Sequence, residues 1–275
     1  MTAVAPRAVA DYMQGCMTRS DPPADPAASD ATATFGYREV PADEKAGLVR
    51  QVFDNVAVRY DLMNDLMSLG VHRLWKDRMV ATLAPRTGSA IIDVAGGTGD
   101  IAFRIHDRTR GGAHVTVCDI NPTMLSVGQD RAVDRGILRG LDWTAGDAES
   151  LPFPDRRFDG YTIAFGLRNV TNIDRALSEA RRVLKPGGRF LCLEFSHVTL
   201  PLLGRLYDAY SVTMLPTLGG LVAGDRESYR YLHESIRRHP PQDELAAKMT
   251  AAGLAHVTWR DMSGGIVALH SGWRI

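Results

Sequence analysis

The sequence predicts an α/β fold: a doubly wound, mostly parallel sheet of seven strands, with helices on its faces and an antiparallel last strand. Three observations predict it. Between residues 90 and 195 lie five short apolar runs, three of them followed by helical periodicity, the order that lays strands side by side in parallel. The first run, "AIIDV", ends in a glycine-rich turn, "AGGTGD", that opens directly into the helical pattern "IAFRI". The last two runs, "HVTWRDM" and "GIVALHSGWR", are separated only by Ser263-Gly264-Gly265, too short for a crossover, so they form an antiparallel hairpin.

Taken in order, residues 1–33 are rich in Ala, Pro, Asp, Ser and Thr without periodicity and read as a disordered tail. They lack the apolar segment of a secretion signal, and Met13 and Met17 leave open a later natural start. Residues 34–87 form a helical cap: Val49, Val52, Phe53 and Val56, then Tyr60, Met63, Asn64 and Met67, recur at helical spacing. Gly70 breaks the pattern before a helix through Leu74, Trp75 and Met79. Residues 88–196 carry the core, with strands at 90–95, 114–119, 141–146, 158–165 and 189–195 and helices near 99–108, 122–136 and 172–184. Pro186-Gly187-Gly188 stops the last of these helices. Residues 197–240 interrupt the alternation as an insertion between the fifth and sixth strands, and 241–275 supply a helix at 242–252 and the closing hairpin.

Composition narrows the function. Thirty-two basic residues balance thirty-two acidic ones, so no overall field favours nucleic acid. Arg237-Arg238-His239 is a short basic cluster that reads as a solvated helix end. The three cysteines, Cys16, Cys118 and Cys192, lack CxxC spacing, which argues against a disulfide framework or zinc site and fits a reducing cytoplasm. The histidines show no HExxH or other ligand spacing, so no metal is expected. No apolar stretch reaches the ~20 residues of a spanning helix, so the protein is soluble or peripheral.

Gly97-Thr98-Gly99 followed by Ala102 fits a loose dinucleotide-binding pattern, with Asp119 twenty residues beyond Gly99 where a ribose acid would stand. The acids argue for a different ligand. Asp93 before the loop and Asp100 at its exit would repel a pyrophosphate but suit the sulfonium and ammonium groups of S-adenosylmethionine. Asp119 ends the second strand and suits the ribose hydroxyls; Asp147-Ala148 ends the third and suits the adenine amine. Singly, each acid also reads as a helix cap or turn residue.

Longer passages carry a resemblance: "FGYREVPADEKAGLVRQVFDNVAVRYDLMNDLMSLGVHRLWK", "DVAGGTGD", "DINPTML", "DAESLPFPDRRFD", "FGLRNV", "RVLKPGG", "LEFS", "SYRYLHESIRRHPPQDEL" and "GGIVALHSGW". From Phe35 onward the chain resembles the ubiquinone/menaquinone biosynthesis C-methyltransferases of the UbiE type, Rossmann-like class I methyltransferases. The resemblance implies S-adenosylmethionine as methyl donor and a polyprenylated benzoquinol or demethylmenaquinol as acceptor. It carries cofactor contacts to Thr98, Asp119, Asp147 and Ala148, and to position 164, where Ala164 replaces the family's serine and its hydroxyl contact is lost. Gly97, Gly99 and Ile120 complete the expected cofactor shell beside Asp93.

Quinol carbon is a weak nucleophile until the ring hydroxyl loses its proton, so the site needs a group that stabilises phenolate. Arg168 and Asn169, just past Ala164, are the catalytic candidates: Arg168 to stabilise charge or polarise a water, Asn169 to orient the quinol oxygen. The plainer alternative pairs Arg168 with an acid and makes Asn169 a helix cap. His72 and His197 are further proton-transfer candidates. Tyr60, Asn64 and Met67, with Tyr207 and Tyr210 of the apolar stretch 200–224, are expected to cover the quinol and guide its tail, with peripheral contact at the inner membrane. Other quinone-pathway enzymes are expected partners. Two readings compete: an NAD-dependent oxidoreductase and an idle scaffold of the quinone-biosynthesis assembly.

Overall fold

A computed structural model describes residues 31–56, 65, 68, 70–198 and 226–275. Residues 1–30 of the expected tail and the stretch 199–225 lie outside the described residues, as do Tyr60, Asn64 and Met67, and with that stretch Tyr207 and Tyr210; Thr32 and Ala33, expected in the disordered tail, belong instead to a strand.

The unit Thr32–Ile275 begins with a hairpin absent from the sequence expectations, which started the cap as helix. Strands β1 (Thr32–Phe35) and β2 (Arg38–Pro41) pair antiparallel across a two-residue turn in which Gly36 takes φ +59°, a left-handed geometry that favours glycine. Helix α1 (Ala42–Val56) follows, with Asp43 and Glu44 in its first turn, where negative charge suits the helix dipole. Val49 of α1 is buried with Phe35 in a small satellite core. Gly70, at φ +77°, precedes helix α2 (His72–Leu83), which buries Trp75, Met79, Val80 and Leu83 on one face.

The main sheet has seven strands in the order β5-β4-β3-β6-β7-β9-β8. Strands β3 (Ala90–Val94), β4 (His114–Asp119), β5 (Leu141–Ala145), β6 (Phe158–Ala164) and β7 (Leu184–Phe195) run parallel. β9 (Val267–Trp273) runs antiparallel to both β7 and β8 (Ala255–Met262), between which it stands. The alternation expected from the sequence is therefore observed, including the closing hairpin. Ile91, Ile92 and Val94 are almost fully buried on central β3, as strands covered on both faces require.

Helices α3 (Asp100–Thr109), α4 (Pro122–Asp134), α5 (Ile173–Val183), α6 (Arg226–Arg238) and α7 (Gln242–Ala251) complete the described elements. Two apolar clusters result, one centred on Trp75, Met79 and Leu193, the other on Phe158, Tyr161 and Leu177. Cys118 and Cys192 are buried free thiols that pack as small hydrophobes, and burial pushes Cys118 up to about 12. Arg237 and Arg238 are exposed at the end of α6, but His239, expected to share that solvated end, is buried. Among the described residues no helix is long and apolar enough to cross a membrane.

Candidate active site

The carboxyl ends of β3, β4 and β6, with the loop after β5, meet in one cavity, the edge where open α/β sheets bind ligands. Of the residues expected from the sequence, it brings together Gly97, Asp119, Ile120, Asp147, Ala148 and Asn169 along its wall. Asp93, Thr98, Gly99, Ala164 and Arg168, each within two residues of the lining along the chain, are not among its lining residues.

Asp119 is the best organised of the lining acids. Its Oδ2 accepts from the Gly97 amide at 2.8 Å and its Oδ1 from the Asn121 amide at 2.8 Å, so one side chain fixes both the glycine loop and the start of α4. Burial pushes its carboxyl up to about 6, against the lowering effect of those two amides. Asn121 then caps α4, accepting from Thr123 and Met124, and its own amide group donates to Asp54 of α1 at 2.9 Å. Lys45 of α1, almost wholly buried, donates to the Val170 carbonyl at 2.9 Å. These two contacts hold α1 beside the cavity, which Val49, Arg50 and Phe53 help to line.

Two glycines are dictated by close approach. At Gly99, φ +83°, a Cβ would lie 2.6 Å from the Trp143 ring; at Gly166 it would lie 2.4 Å from the Ala95 side chain. Ala95 (φ +50°) and Phe165 (φ +57°) adopt left-handed backbone without being glycine, at the ends of adjacent strands and on the cavity wall. Such residues cost of order 1–3 kcal/mol each and persist only where neighbours over-determine them. Phe165 is held by its amide on the Leu193 carbonyl and by Arg168 on its own carbonyl.

Asp93 and Asp100, expected to set the charge around the glycine loop, do not line the cavity. Asp100 is paired with Lys76 at 2.8 Å and Arg104 at 2.9 Å, so its charge is matched within the protein. Asp93 is buried, its Oδ1 accepting from the Thr162 hydroxyl at 2.8 Å, and burial pushes its carboxyl up from 3.8 to about 7. The lining instead carries Asp119, Asp147 and Glu149 against Arg50, an acidic balance that suits a cationic ligand and opposes a pyrophosphate.

Asp93 also gives a pH test. Its raised carboxyl keeps a proton in the folded state that the unfolded chain releases between about pH 4 and 7, so stability falls as pH rises through that window. Asp93→Asn, which does not titrate, should gain in melting temperature relative to the parent at pH 8 compared with pH 5. An identical difference at both values would remove the assignment.

Arg168 and Asn169 sit on a 3₁₀ turn, Leu167–Asn169, beyond β6. The Arg168 guanidinium pairs with Glu194 of β7 at 2.8 Å, both side chains buried, and the Arg168 amide also donates to Glu194 at 3.3 Å. The pairing with an acid is thus the observed state, and burial is the main force raising the Glu194 carboxyl. Asn169 faces the cavity and accepts the Tyr231 hydroxyl at 3.0 Å. Thr98 is buried, its hydroxyl accepting from Arg131 at 3.1 Å. His72 contacts Asp65 and His197 contacts the His239 carbonyl; neither lines the cavity. Glu149 joins the parts by accepting from the amides of Thr171 and Asn172 at 2.9 Å.

The seven-stranded order with its inserted antiparallel strand, and a cavity at the carboxyl ends of the parallel strands, are those of the Rossmann-like class I methyltransferase fold. An S-adenosylmethionine-dependent methyltransferase from Thermotoga maritima shares the fold, with a TM-score of 0.57 at 19% identity over 82% of this chain and 99% of its own. Residues 34–274 match the model of the ubiE/COQ5 methyltransferase family, and the chain belongs to that family. It is 61% identical over 251 residues to the ubiquinone/menaquinone biosynthesis C-methyltransferase UbiE of Methylobacterium nodulans, covering 90% of this chain and 99% of that one. The UbiE of Rhodopseudomonas palustris is 59% identical over 247 residues, 89% of this chain and 98% of its own.

Proposed function

We propose that this protein transfers a methyl group from S-adenosylmethionine to a ring carbon of a polyprenylated quinol, benzoquinol or demethylmenaquinol, in quinone biosynthesis. The observation that carries the reading is that Asp119 and Asn169 open onto one cavity in a chain of this family.

The residues fit the donor. Asp119 keeps lone pairs free, after its two backbone contacts, to accept the ribose hydroxyls. Asp147 and Ala148 stand at the adjoining loop for the adenine, with Ile120 and Met124 as apolar walls. When bound, S-adenosylmethionine supplies an electrophilic methyl group on its sulfonium. Asn169 serves as the polar contact for the acceptor's ring oxygen, where an amide donor stabilises developing phenolate charge. Arg168 acts through the loop it braces against Glu194 rather than as a base. Tyr60, Asn64, Met67, Tyr207 and Tyr210 remain candidates for covering the quinol, and the apolar run 200–224 for guiding the prenyl tail at a membrane surface. Association with other quinone-pathway enzymes is a further expectation of the same reading.

The test is transfer of labelled methyl from S-adenosylmethionine to reduced, short-tail demethylated benzoquinol and demethylmenaquinol, with mass spectrometry locating the label. Carbon-bound label on either ring supports the proposal and defines the acceptor range. Cofactor binding without transfer to either ring would leave the scaffold reading, and binding of NAD in its place would leave the oxidoreductase.

A further inference from the structure

We propose that Tyr231 is a positioning residue for methyl transfer: its phenol locks the Asn169 carboxamide so that Nδ2 faces the cavity as a donor to the acceptor's ring oxygen. The proposal rests on the reading above that Asn169 meets that oxygen.

Tyr231 lies on α6, sixty-two positions along the chain from Asn169, and is only 5% exposed. Its hydroxyl donates to Asn169 Oδ1 at 3.0 Å, and among the described residues this is its one hydrogen bond. A buried hydroxyl proton left without an acceptor is costly, so the phenol selects one of the two amide orientations. Turning the carboxamide over would set an NH₂ against the phenol and leave the phenolic proton without its acceptor. With Oδ1 anchored, Nδ2 points to the other side of the amide. No described residue accepts from Nδ2, and Asn169 lines the cavity.

The anchor is itself held. The Tyr231 ring stacks on Phe35 with centroids 4.2 Å apart and planes 19° apart, and the Tyr37 amide donates to Glu234, three positions along α6, at 2.9 Å. The β1–β2 hairpin thus fixes α6, and α6 fixes Asn169. The chemistry needs this because a free carboxamide rotates broadly about its terminal torsion and presents its carbonyl oxygen, which repels a phenolate, as readily as its NH₂. A locked donor favours acceptors that develop negative charge on oxygen and gives no benefit to acceptors that do not.

The experiment compares Tyr231→Phe, Asn169→Ala and the double variant with the parent, using the full chain and the reduced short-tail benzoquinol. Phenylalanine keeps the stack on Phe35 and deletes only the hydroxyl. Cofactor Kd and quinol KM should stay within about twofold, while kcat falls roughly 10- to 100-fold. The double variant should be no slower than Asn169→Ala, because Tyr231 acts only through Asn169. A parental kcat in Tyr231→Phe, or losses that multiply in the double variant, overturns the proposal. If the parent itself transfers no methyl to the quinol, the functional reading fails separately. Side-chain ¹⁵N relaxation of Asn169 tests the lock whatever the acceptor: ordered in the parent and mobile in Tyr231→Phe supports it, and equal order in both rejects it.

Discussion

Replacing Arg168 by alanine lowers the stability of the fold by about 3–5 kcal/mol in urea unfolding, the usual effect of removing one partner from a buried ion pair. Glu194 is 1% exposed, and the guanidinium of Arg168 is its only described cationic partner. Without Arg168 the carboxylate is left in an apolar setting beside Phe195, and it takes up a proton or draws in water. Phe165 also loses a contact that holds its left-handed backbone, so the cavity wall shifts. Methyl transfer falls with it. Arg168→Ala/Glu194→Gln should regain a large part of the lost stability, because a neutral amide tolerates the site better than a lone carboxylate. A single variant as stable as the parent would show that the pair braces nothing. The activity of the stable double variant then separates bracing from direct contact: recovery to within about tenfold of the parent confines Arg168 to bracing.

Asp119→Ala should raise the Kd for S-adenosylmethionine about 100-fold, measured by calorimetry. Two hydroxyl donors lose a charged acceptor worth about 1.5–3 kcal/mol each, and a factor of 100 needs only about 2.7 kcal/mol. Asp119 also orders the Gly97 and Asn121 amides, so the glycine loop and the start of α4 loosen with it. The same side chain makes binding pH-dependent. Ribose hydroxyls favour the ionised carboxylate, and the ligand-free carboxyl titrates at about 6, so affinity should fall about tenfold per unit as pH drops below 6. An Asp93→Asn background removes the raised Asp93 carboxyl, and Asp119→Asn in that background should flatten the profile. A pH-independent Kd in the parent would sink this account.

What the sequence made legible follows from range. Strands and helices were readable because the apolar periods of "AIIDV" or "IAFRI" are local, and the place of Asp119 and Asp147 on the cavity wall was readable because one ends a parallel strand and the other stands in the loop after the next. Contacts set by tertiary pairing were not. Asn121 meets Asp54 across sixty-seven positions, and Tyr231 meets Asn169 across sixty-two, with no periodicity linking either pair. Glu194 did leave a signal: an acid inside the apolar run "LCLEF" requires a buried partner, although the run cannot say which. Asp100 misled for the same reason, since only the packing of α2 brings Lys76 to it. The short β1–β2 hairpin carries too few residues for alternation to show, and its position depends on docking against α6.

The position of β9 bears on how the protein is made. Ribosomes deliver β8 before β9, yet β9 lies between β7 and β8 in the finished sheet. Until β9 emerges, β7 exposes an unpaired edge and β8 has no neighbour to join, because its described pairing is with β9 alone. A nascent chain that stalls in this interval presents an open, apolar strand edge to other chains. Arg274, just past β9, then donates to the carbonyls of Arg181, Arg182 and Leu184, clasping the late strand to the junction of α5 and β7. Recovery of soluble protein during synthesis should therefore depend on how quickly those late residues follow β8 out of the ribosome.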